Sequence, residues 1–152
     1  PNTYDVLIKN GQILDGSGAE AYAGDIGIVG DRIAALGDLS NAVGSREIDA
    51  RGLVVAPGFI DLHTHLDPIL ELSECESHIR QGVTTALGGP DGSSPWPFAT
   101  YLDTLEHLGV GMNVGYLIGH NTVRRNVMGL ENRAPTPAQM PTAMPSSPIP
   151  QR

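Results

Sequence analysis

Two histidines one residue apart, His63 and His65, follow a short apolar segment that begins at Phe59. If that segment is a strand that continues through them, both side chains lie on one face, because alternate residues of a strand point the same way. Imidazole nitrogens are ligands that zinc prefers. The spacing therefore predicts that their ring nitrogens lie within about 4 Å of each other and bind one metal ion. The alternative is a pair of half-exposed polar residues at a strand end.

Other reactive side chains lie near this pair in the sequence. Asp67 follows His65 by two residues, and its carboxylate orients either a substrate or a ligand histidine, unless the residue only shapes a local turn. Cys75 lies on an apolar face of a predicted helix, which favours a place in the core over a role as nucleophile. We interpret His78 and His107, within or near predicted helices, as solvated surface residues.

The first 57 residues are predicted to be β structure, forming part of a small β-sandwich or a sheet layer. Asn10-Gly11 and Gly30-Asp31 each favour a two-residue hairpin turn between short apolar strands. A further pair of strands is expected across Ala50-Arg51-Gly52. The predicted strands cover residues 5–9, 12–14, 25–29, 32–36, 47–49 and 53–55.

Strands alternate with helices after Pro57-Gly58, from residue 58 to residue 140. This order predicts parallel strands joined by right-handed crossovers, the opening of a βα-repeat domain. The histidine pair then lies at the carboxyl end of the first strand, where active sites of βα barrels are found. The predicted strands are 59–63, 83–87 and 110–118, and the predicted helices are 71–80 and 98–108.

The last twelve residues, 141–152, contain four prolines, no acidic group and no apolar period. We interpret them as a disordered Pro-rich tail. Just before them, Thr136-Pro137-Ala138-Gln139 resembles a helix capping box with proline at the first helical position. Because Pro141 ends that helix as it begins, we expect that a longer parent sequence was cut, or its reading frame lost, near Met140.

Composition excludes several classes of function. The chain has 152 residues and a net charge of −8, which argues against nucleic acid or an anionic membrane as a partner. Its one cysteine cannot form an internal disulfide or a thiolate cluster. No apolar run is long enough for a transmembrane helix. The chain begins at Pro1, so a cytoplasmic protein and an exported one with a removed signal peptide both remain open.

Several segments carry a family resemblance that extends from Tyr4 to Met140. The segment Pro57–His65 (PGFIDLHTH) resembles the first-strand motif of the amidohydrolase superfamily. Within that superfamily, Gly119–Arg124 (GHNTVR), Val127–Gly129 and Arg133–Pro137 are similar to the D-aminoacylase, or N-acyl-D-amino-acid deacylase, family. The resemblance covers only about the first third of a complete family member, so the chain is expected to be an N-terminal fragment.

The resemblance implies a fold and a chemistry. The fold is a metal-binding (β/α)₈ barrel preceded by part of a small β-sandwich, here truncated. The implied cofactor is zinc, as one or two ions, which activates water and polarises an amide carbonyl. The implied substrate is a small-molecule amide, an N-acyl-D-amino acid, and the oligomeric state is left open. The general base and two more ligand histidines come from later strands of the family's barrel, so the fragment itself is expected to be inactive.

Two further site residues are implied by the resemblance. The family places a cysteine ligand in a Gly-Asn-Cys-Gly turn after its second strand, whereas this chain has Asp91 within Gly89-Pro90-Asp91-Gly92. Asp91 is either a harder metal ligand at the same position or an ordinary turn residue. His120 closes the third predicted strand and either contacts substrate at the mouth of the site or forms only a local hydrogen bond.

Two alternatives remain open beside the deacylase hypothesis. A cyclic-amide hydrolase, such as a dihydropyrimidinase or a dihydroorotase, shares the His-x-His strand. A non-catalytic remnant would keep the fold without turnover, and the Pro-rich ending favours that interpretation for this chain. The segments after Gly119 favour the deacylase.

Overall fold

The computed structural model describes residues 3–140. The chain divides into two compact units, Pro1–Pro57 and Gly58–Arg152, which we describe separately. Within residues 3–140, each unit contains one β-sheet and the second also contains helices. None of the described helices is long and apolar enough to cross a membrane. The chain is therefore a mixed α/β protein, and the predicted tail over residues 141–152 lies outside the described residues.

The first unit is a single five-stranded sheet. Its strands are β1 (Thr3–Ile13), β2 (Tyr22–Val29), β3 (Arg32–Gly37), β4 (Val43–Asp49) and β5 (Val54–Val55). The order across the sheet is β3-β2-β1-β4, and β5 also pairs with β1. The hairpin predicted at Gly30-Asp31 is confirmed, since β2 and β3 pair antiparallel on either side of it. Residues 3–57 thus form one sheet layer and not two packed sheets.

The hairpin predicted at Asn10-Gly11 is wrong, because β1 continues through both residues. The pairing with β2 changes register between Ile8 and Gly11, which marks a β-bulge. Asn10 has a φ of 63°, a left-handed conformation that asparagine tolerates. Its backbone N–H, displaced from the ladder, donates a hydrogen bond to the carboxylate of Asp25 at 2.8 Å. The turn-forming dipeptide therefore forms a bulge.

The pairing predicted between the strands at 47–49 and 53–55 is wrong, because neither strand pairs with the other. Both are parallel to β1 and follow one edge of it in succession, β4 first and β5 after it. The backbone N–H of Ala50 donates to the carbonyl of Lys9 at 2.8 Å, which keeps the connecting turn against β1. The eleven residues of β1 provide an edge long enough for both strands.

The turn after β4 is fixed by an exposed carboxylate, Asp49. Hydrogen bonds from Arg51 (Nε to Oδ2, 2.7 Å) and then from Asn10 (Nδ2 to Oδ1, 3.1 Å) lower the pKa of Asp49 from 3.8 to about 2. Because the pKa of Asp49 is lowered in the folded state, these bonds stabilise the fold fully at pH values above the ordinary pKa of 3.8. Their contribution is lost as the pH falls toward 2.

We expect Arg51→Ala to raise the pKa of Asp49 toward its ordinary value, because the largest cause of the shift is removed. The measurement is an NMR titration of the Asp49 carboxyl carbon. Arg32→Ala is the control, since Arg32 lies near Asp31 in a different turn, 3.7 Å from its carboxylate. An Asp49 titration that is unchanged by Arg51→Ala would contradict the assignment.

The second unit is an α/β arrangement around a three-stranded sheet. Its elements are β6 (Phe59–Asp61), α1 (Glu76–Ile79), β7 (Val83–Gly88), α2 (Phe98–Leu108), β8 (Asn113–Tyr116) and α3 (His120–Met128). The sheet order is β6-β7-β8, and both pairs of strands are parallel. The predicted parallel strands are therefore confirmed, as is the second predicted helix, which ends at Gly109.

A small apolar core holds the strand layer of this unit against α2 and the segment that precedes α1. Cys75 belongs to it, so its predicted place in the core is confirmed. Partly buried residues, including Tyr101 and Tyr116, pack around this core. The buried members are Leu66, Ile69, Cys75, Ala86, Leu105 and Met112.

The helix predicted at residues 71–80 forms only over α1. Cys75, immediately before it, has a φ of 51°, which a right-handed helix does not allow. The chain between Asp67 and Cys75 forms turns, with the backbone N–H of Leu72 donating to the carbonyl of Pro68 at 2.9 Å. These turns let both Ile69 and Cys75 reach the core, which outweighs the helical spacing of the apolar residues.

The end of the described chain also differs from the prediction. The third predicted strand, 110–118, is formed only over Asn113–Tyr116, and a helix that was not predicted begins at His120. This helix, α3, has the sequence HNTVRRNVM, and its buried residue is a threonine, Thr122. An apolar period therefore does not indicate it. The capping-box bond predicted at Thr136 is present, from its backbone N–H to the side-chain oxygen of Gln139 at 3.0 Å.

Candidate metal centre

The two histidines lie in the segment that follows β6, not on a continued strand. β6 ends at Asp61, whose carboxylate accepts a hydrogen bond from the backbone N–H of His63 at 3.1 Å. The backbone N–H of Thr64 donates to the carbonyl of Leu87 at 3.3 Å, which ties this segment to β7. The strand predicted over 59–63 therefore ends two residues early, and the condition that it continues through His65 is not met. Turn bonds, and not the pleat of a strand, position the two imidazoles.

Three side chains converge after the carboxyl ends of β6 and β7. Nε2 of His63 lies 3.1 Å from Oδ1 of Asp91, and Nε2 of His65 lies 2.8 Å from Oδ2 of the same carboxylate. One ligand atom from each of the three residues lies within 4.8 Å of the other two. The structure thus brings together the three residues that the sequence analysis selected for a metal.

The donor set suits zinc in both chemistry and spacing. Two imidazole nitrogens and a carboxylate oxygen are ordinary zinc ligands. Ligands at about 2.1 Å from one tetrahedral ion lie about 3.4 Å from each other. The three ligand atoms lie within 4.8 Å of one another, so small side-chain adjustments would bring them to that spacing. The imidazoles of His63 and His65 are 65% and 68% exposed and the Asp91 side chain is 52% exposed, so solvent reaches all three.

Asp91 lies in the loop Gly89–Ser94, called here the Asp91 loop. Gly89 and Gly92 have φ values of +78° and +80°, a region that favours glycine. A β-carbon at Gly89 would also lie 2.5 Å from the carbonyl oxygen of Leu117, too close for any side chain. The turn tendency of the Pro-Asp-Gly sequence and the position of Asp91 beside the histidines are therefore compatible.

The structure places Asp67 beside the histidine pair but loosely. Its Oδ2 lies 3.9 Å from Nδ1 of His65, beyond hydrogen-bond distance, and its side chain is 96% exposed. At this distance and exposure the carboxylate acts on His65 only through a screened charge.

His120 does not join the three-residue cluster in the described chain. It is the first residue of α3 and is exposed, so the expectation that it closes the third strand is wrong. His107 is exposed on α2, as predicted, whereas His78 on α1 is only half-exposed. Nδ1 of His107 lies 2.6 Å from the carbonyl of Asp103 within its own helix.

A tyrosine pair that the sequence did not indicate as functional lies beside the cluster. Tyr101 and Tyr116 meet edge to face at 5.4 Å, with their hydroxyl oxygens 3.2 Å apart. They line a cavity of about 260 Å³ that His65 and Asp91 also line. Burial, with the hydrogen bond to Tyr101, raises the pKa of the Tyr116 phenol. No sequence signal separates these tyrosines from ordinary packing residues, because each occupies an apolar position of its element.

Comparison with protein families gives a match over residues 46–145 to the Amidohydrolase family. The chain belongs to this amidohydrolase family. The region matched includes both histidines and Asp91.

Several relatives of this amidohydrolase chain are deacylases. It is 39% identical over 157 residues to the D-aminoacylase of Alcaligenes xylosoxydans xylosoxydans, a match that covers 88% of this chain and 32% of the relative. Its structure is similar to that of the N-acyl-D-glutamate deacylase of Bordetella bronchiseptica, solved with zinc and a phosphonate mimic of the tetrahedral intermediate. That similarity has a TM-score of 0.85 at 33% identity and covers 93% of this chain and 35% of the other.

A cyclic-amide hydrolase is similar to a lesser degree. The L-hydantoinase (dihydropyrimidinase) of Arthrobacter aurescens matches with a TM-score of 0.59 at 26% identity, over 74% of this chain and 27% of that chain. This amidohydrolase chain spans about a third of the length of the deacylase relatives it matches.

Proposed function

We propose that this chain carries the first part of a zinc centre that hydrolyses the amide bond of N-acyl-D-amino acids. The observation that supports it most directly is the convergence of His63, His65 and Asp91, with one ligand atom of each within 4.8 Å of the others. In this proposal these three residues hold the zinc, and the site takes one or two ions. Asp67, which is exposed two residues after His65, and His120, which is exposed at the start of α3, contact the substrate in this proposal.

We further propose that β6, β7 and β8 are the first three strands of a (β/α)₈ barrel, with the five-stranded sheet as part of a β-sandwich. The parallel order of the three strands and the two intervening helices support this arrangement. The cluster also lies after the carboxyl ends of β6 and β7, the end at which βα barrels carry their active sites.

The residues of this chain would hold and orient the reacting groups. Zinc bound here would supply Lewis acidity toward an amide carbonyl and lower the pKa of water. Asp91 and the two imidazoles set the position of the ion, and their exposure leaves one side open to substrate. The leaving nitrogen also needs a proton from a carboxylate acid/base. We propose that this group belongs to a part of the enzyme that corresponds to the region of the relatives beyond the present match.

Two measurements test the proposed function. The first is the stoichiometry and affinity of zinc binding to the 152-residue chain. We expect the chain to bind zinc and the His63→Ala variant not to bind it. The second is activity of a chimera in which residues 1–140 replace the matching region of the Alcaligenes D-aminoacylase. We expect the chimera to hydrolyse N-acetyl-D-amino acids in preference to their L enantiomers and to hydantoins. A chimera with the reverse preference, or a chain without zinc, would overturn the proposal.

The 152-residue chain alone is expected to lack ordinary enzymatic turnover, because Asp91, the carboxylate that converges with the histidines among residues 3–140, serves as a ligand in this proposal and is not free to act as the acid/base. The assay is hydrolysis of N-acetyl-D-amino acids by the zinc-loaded chain. Turnover on the order of 1–1,000 per second would show that the residues already present suffice.

A further inference from the structure

The backbone of the Asp91 loop is held by the start of α3. Among residues 3–140, the side chains that pair with the Asp91 carboxylate are the two imidazoles. The loop backbone is anchored elsewhere. The carbonyl of Gly92, the next residue after Asp91, accepts hydrogen bonds from the backbone N–H groups of Asn121 (2.8 Å) and Thr122 (3.3 Å).

Ser94 ties the other end of the loop to the same helix. Its backbone N–H donates to Oγ1 of Thr122 at 2.8 Å, and that hydroxyl donates in turn to the carbonyl of Ser94 at 3.0 Å. The Ser94 hydroxyl accepts a bond from the backbone N–H of Gly119 at 3.0 Å. Thr122 is only 9% exposed, so water competes little for these bonds.

The Thr122 hydroxyl therefore satisfies both backbone polar groups of Ser94, its N–H and its carbonyl. A side chain without that hydroxyl leaves the Ser94 N–H and carbonyl without this partner in a partly buried place, which costs free energy and lets the loop relax. A serine keeps the donor and the acceptor, whereas a valine keeps the shape of threonine and loses both.

We propose that Thr122 is a positioning residue that fixes the Asp91 carboxylate against the two imidazoles by holding the Asp91 loop on α3. The proposal rests on the proposed function, because it takes Asp91 to be a zinc ligand. Thr122 touches neither substrate nor metal in this role. It acts through Ser94 and Gly92, which lie three residues and one residue beyond Asp91.

The test compares Thr122→Val with Thr122→Ser in the full chain. We expect zinc affinity, measured by competition with a chromophoric chelator, to fall about 10–100-fold in the valine variant, the usual effect of removing a residue that orients a metal ligand. Thr122→Ser should restore it. Thr104→Val is the matched control, because the Thr104 hydroxyl bonds its own helix at the carbonyl of Thr100 and lies on α2. The Co²⁺ absorption spectrum should change in the valine variant alone.

Amide hydrogen exchange without metal separates this inference from the proposed function. We expect the Ser94 N–H to exchange faster in Thr122→Val than in wild type or Thr122→Ser, whether or not zinc binds. If circular dichroism shows that the valine variant is unfolded, Ser94→Ala removes the bond to Gly119 from the loop side and should weaken zinc binding in the same way. Unchanged exchange together with unchanged zinc affinity in a folded Thr122→Val or Ser94→Ala variant would overturn the inference. A wild-type chain that does not bind zinc would overturn the proposed function as well.

Discussion

Asp91→Ala is expected to weaken zinc binding by more than about 100-fold, because a ligand of the ion contributes more than the groups that orient it. The carboxylate lies 3.1 Å from Nε2 of His63 and 2.8 Å from Nε2 of His65, one oxygen toward each imidazole. Its removal leaves two neutral nitrogen ligands for a divalent cation. Isothermal titration with zinc measures the loss.

Asp67→Ala is the matched control for this experiment. It removes a carboxylate that also lies near His65, at 3.9 Å, but is 96% exposed, so we expect a small effect. Asp91→Cys should keep zinc and give Co²⁺ a thiolate charge-transfer band, because a thiolate at this place can replace the carboxylate. Equal zinc affinity in Asp91→Ala and wild type would refute the ligand role of Asp91 and leave only a turn residue.

Gly119→Ala is expected to destabilise the second unit by about 3 kcal/mol, the upper part of the range for overpacking. A β-carbon at Gly119 would lie 2.4 Å from the carbonyl oxygen of Gly92 and 2.6 Å from the carbonyl carbon of Ser93. These are backbone atoms, which cannot rotate away as a side chain can. The φ of Gly119 is −71°, so alanine meets no backbone strain and the whole effect is steric.

Chemical unfolding followed by Trp96 fluorescence, the only tryptophan and in the second unit, measures this loss. Gly115→Ala is the control, since its added carbon would meet only the end of the Leu87 side chain at 3.3 Å. We expect a much smaller change there. A Gly119→Ala protein as stable as Gly115→Ala would show that the loop and α3 are not as closely packed as described.

Apolar spacing correctly predicts helix α2, which ends at Gly109, and the strand at Val83, because it reports burial directly. The parallel order is predicted by the alternation of strands and helices. Apolar spacing is not sufficient over 71–80, where turns replace most of the predicted helix. Helix α3 was missed because its inward residue is Thr122, which is held by hydrogen bonds that a hydrophobic pattern does not record.

The metal cluster was predicted by a partly incorrect route. The pleat of a continued strand was expected to align His63 and His65, whereas the strand ends at Asp61 and turn bonds position them. Asp91 was selected through the family resemblance alone, since nothing local to its turn distinguishes a ligand from a turn residue. The hairpin prediction at Asn10-Gly11 is wrong because the positive φ of Asn10 suits a β-bulge as well as a hairpin turn. Only the pairing with neighbouring strands decides between a bulge and a turn.

The position of β1 in its sheet has a consequence for the order of folding. β1 is the first strand of the chain, yet one of its edges pairs in register with residues that follow about forty positions later, Thr3 with Val43. Closing the chain between these residues costs more entropy than closing the local β2–β3 hairpin, so this pairing is expected to form more slowly. Until β4 forms, that edge of β1 presents unpaired backbone N–H and C=O groups that can pair with another chain.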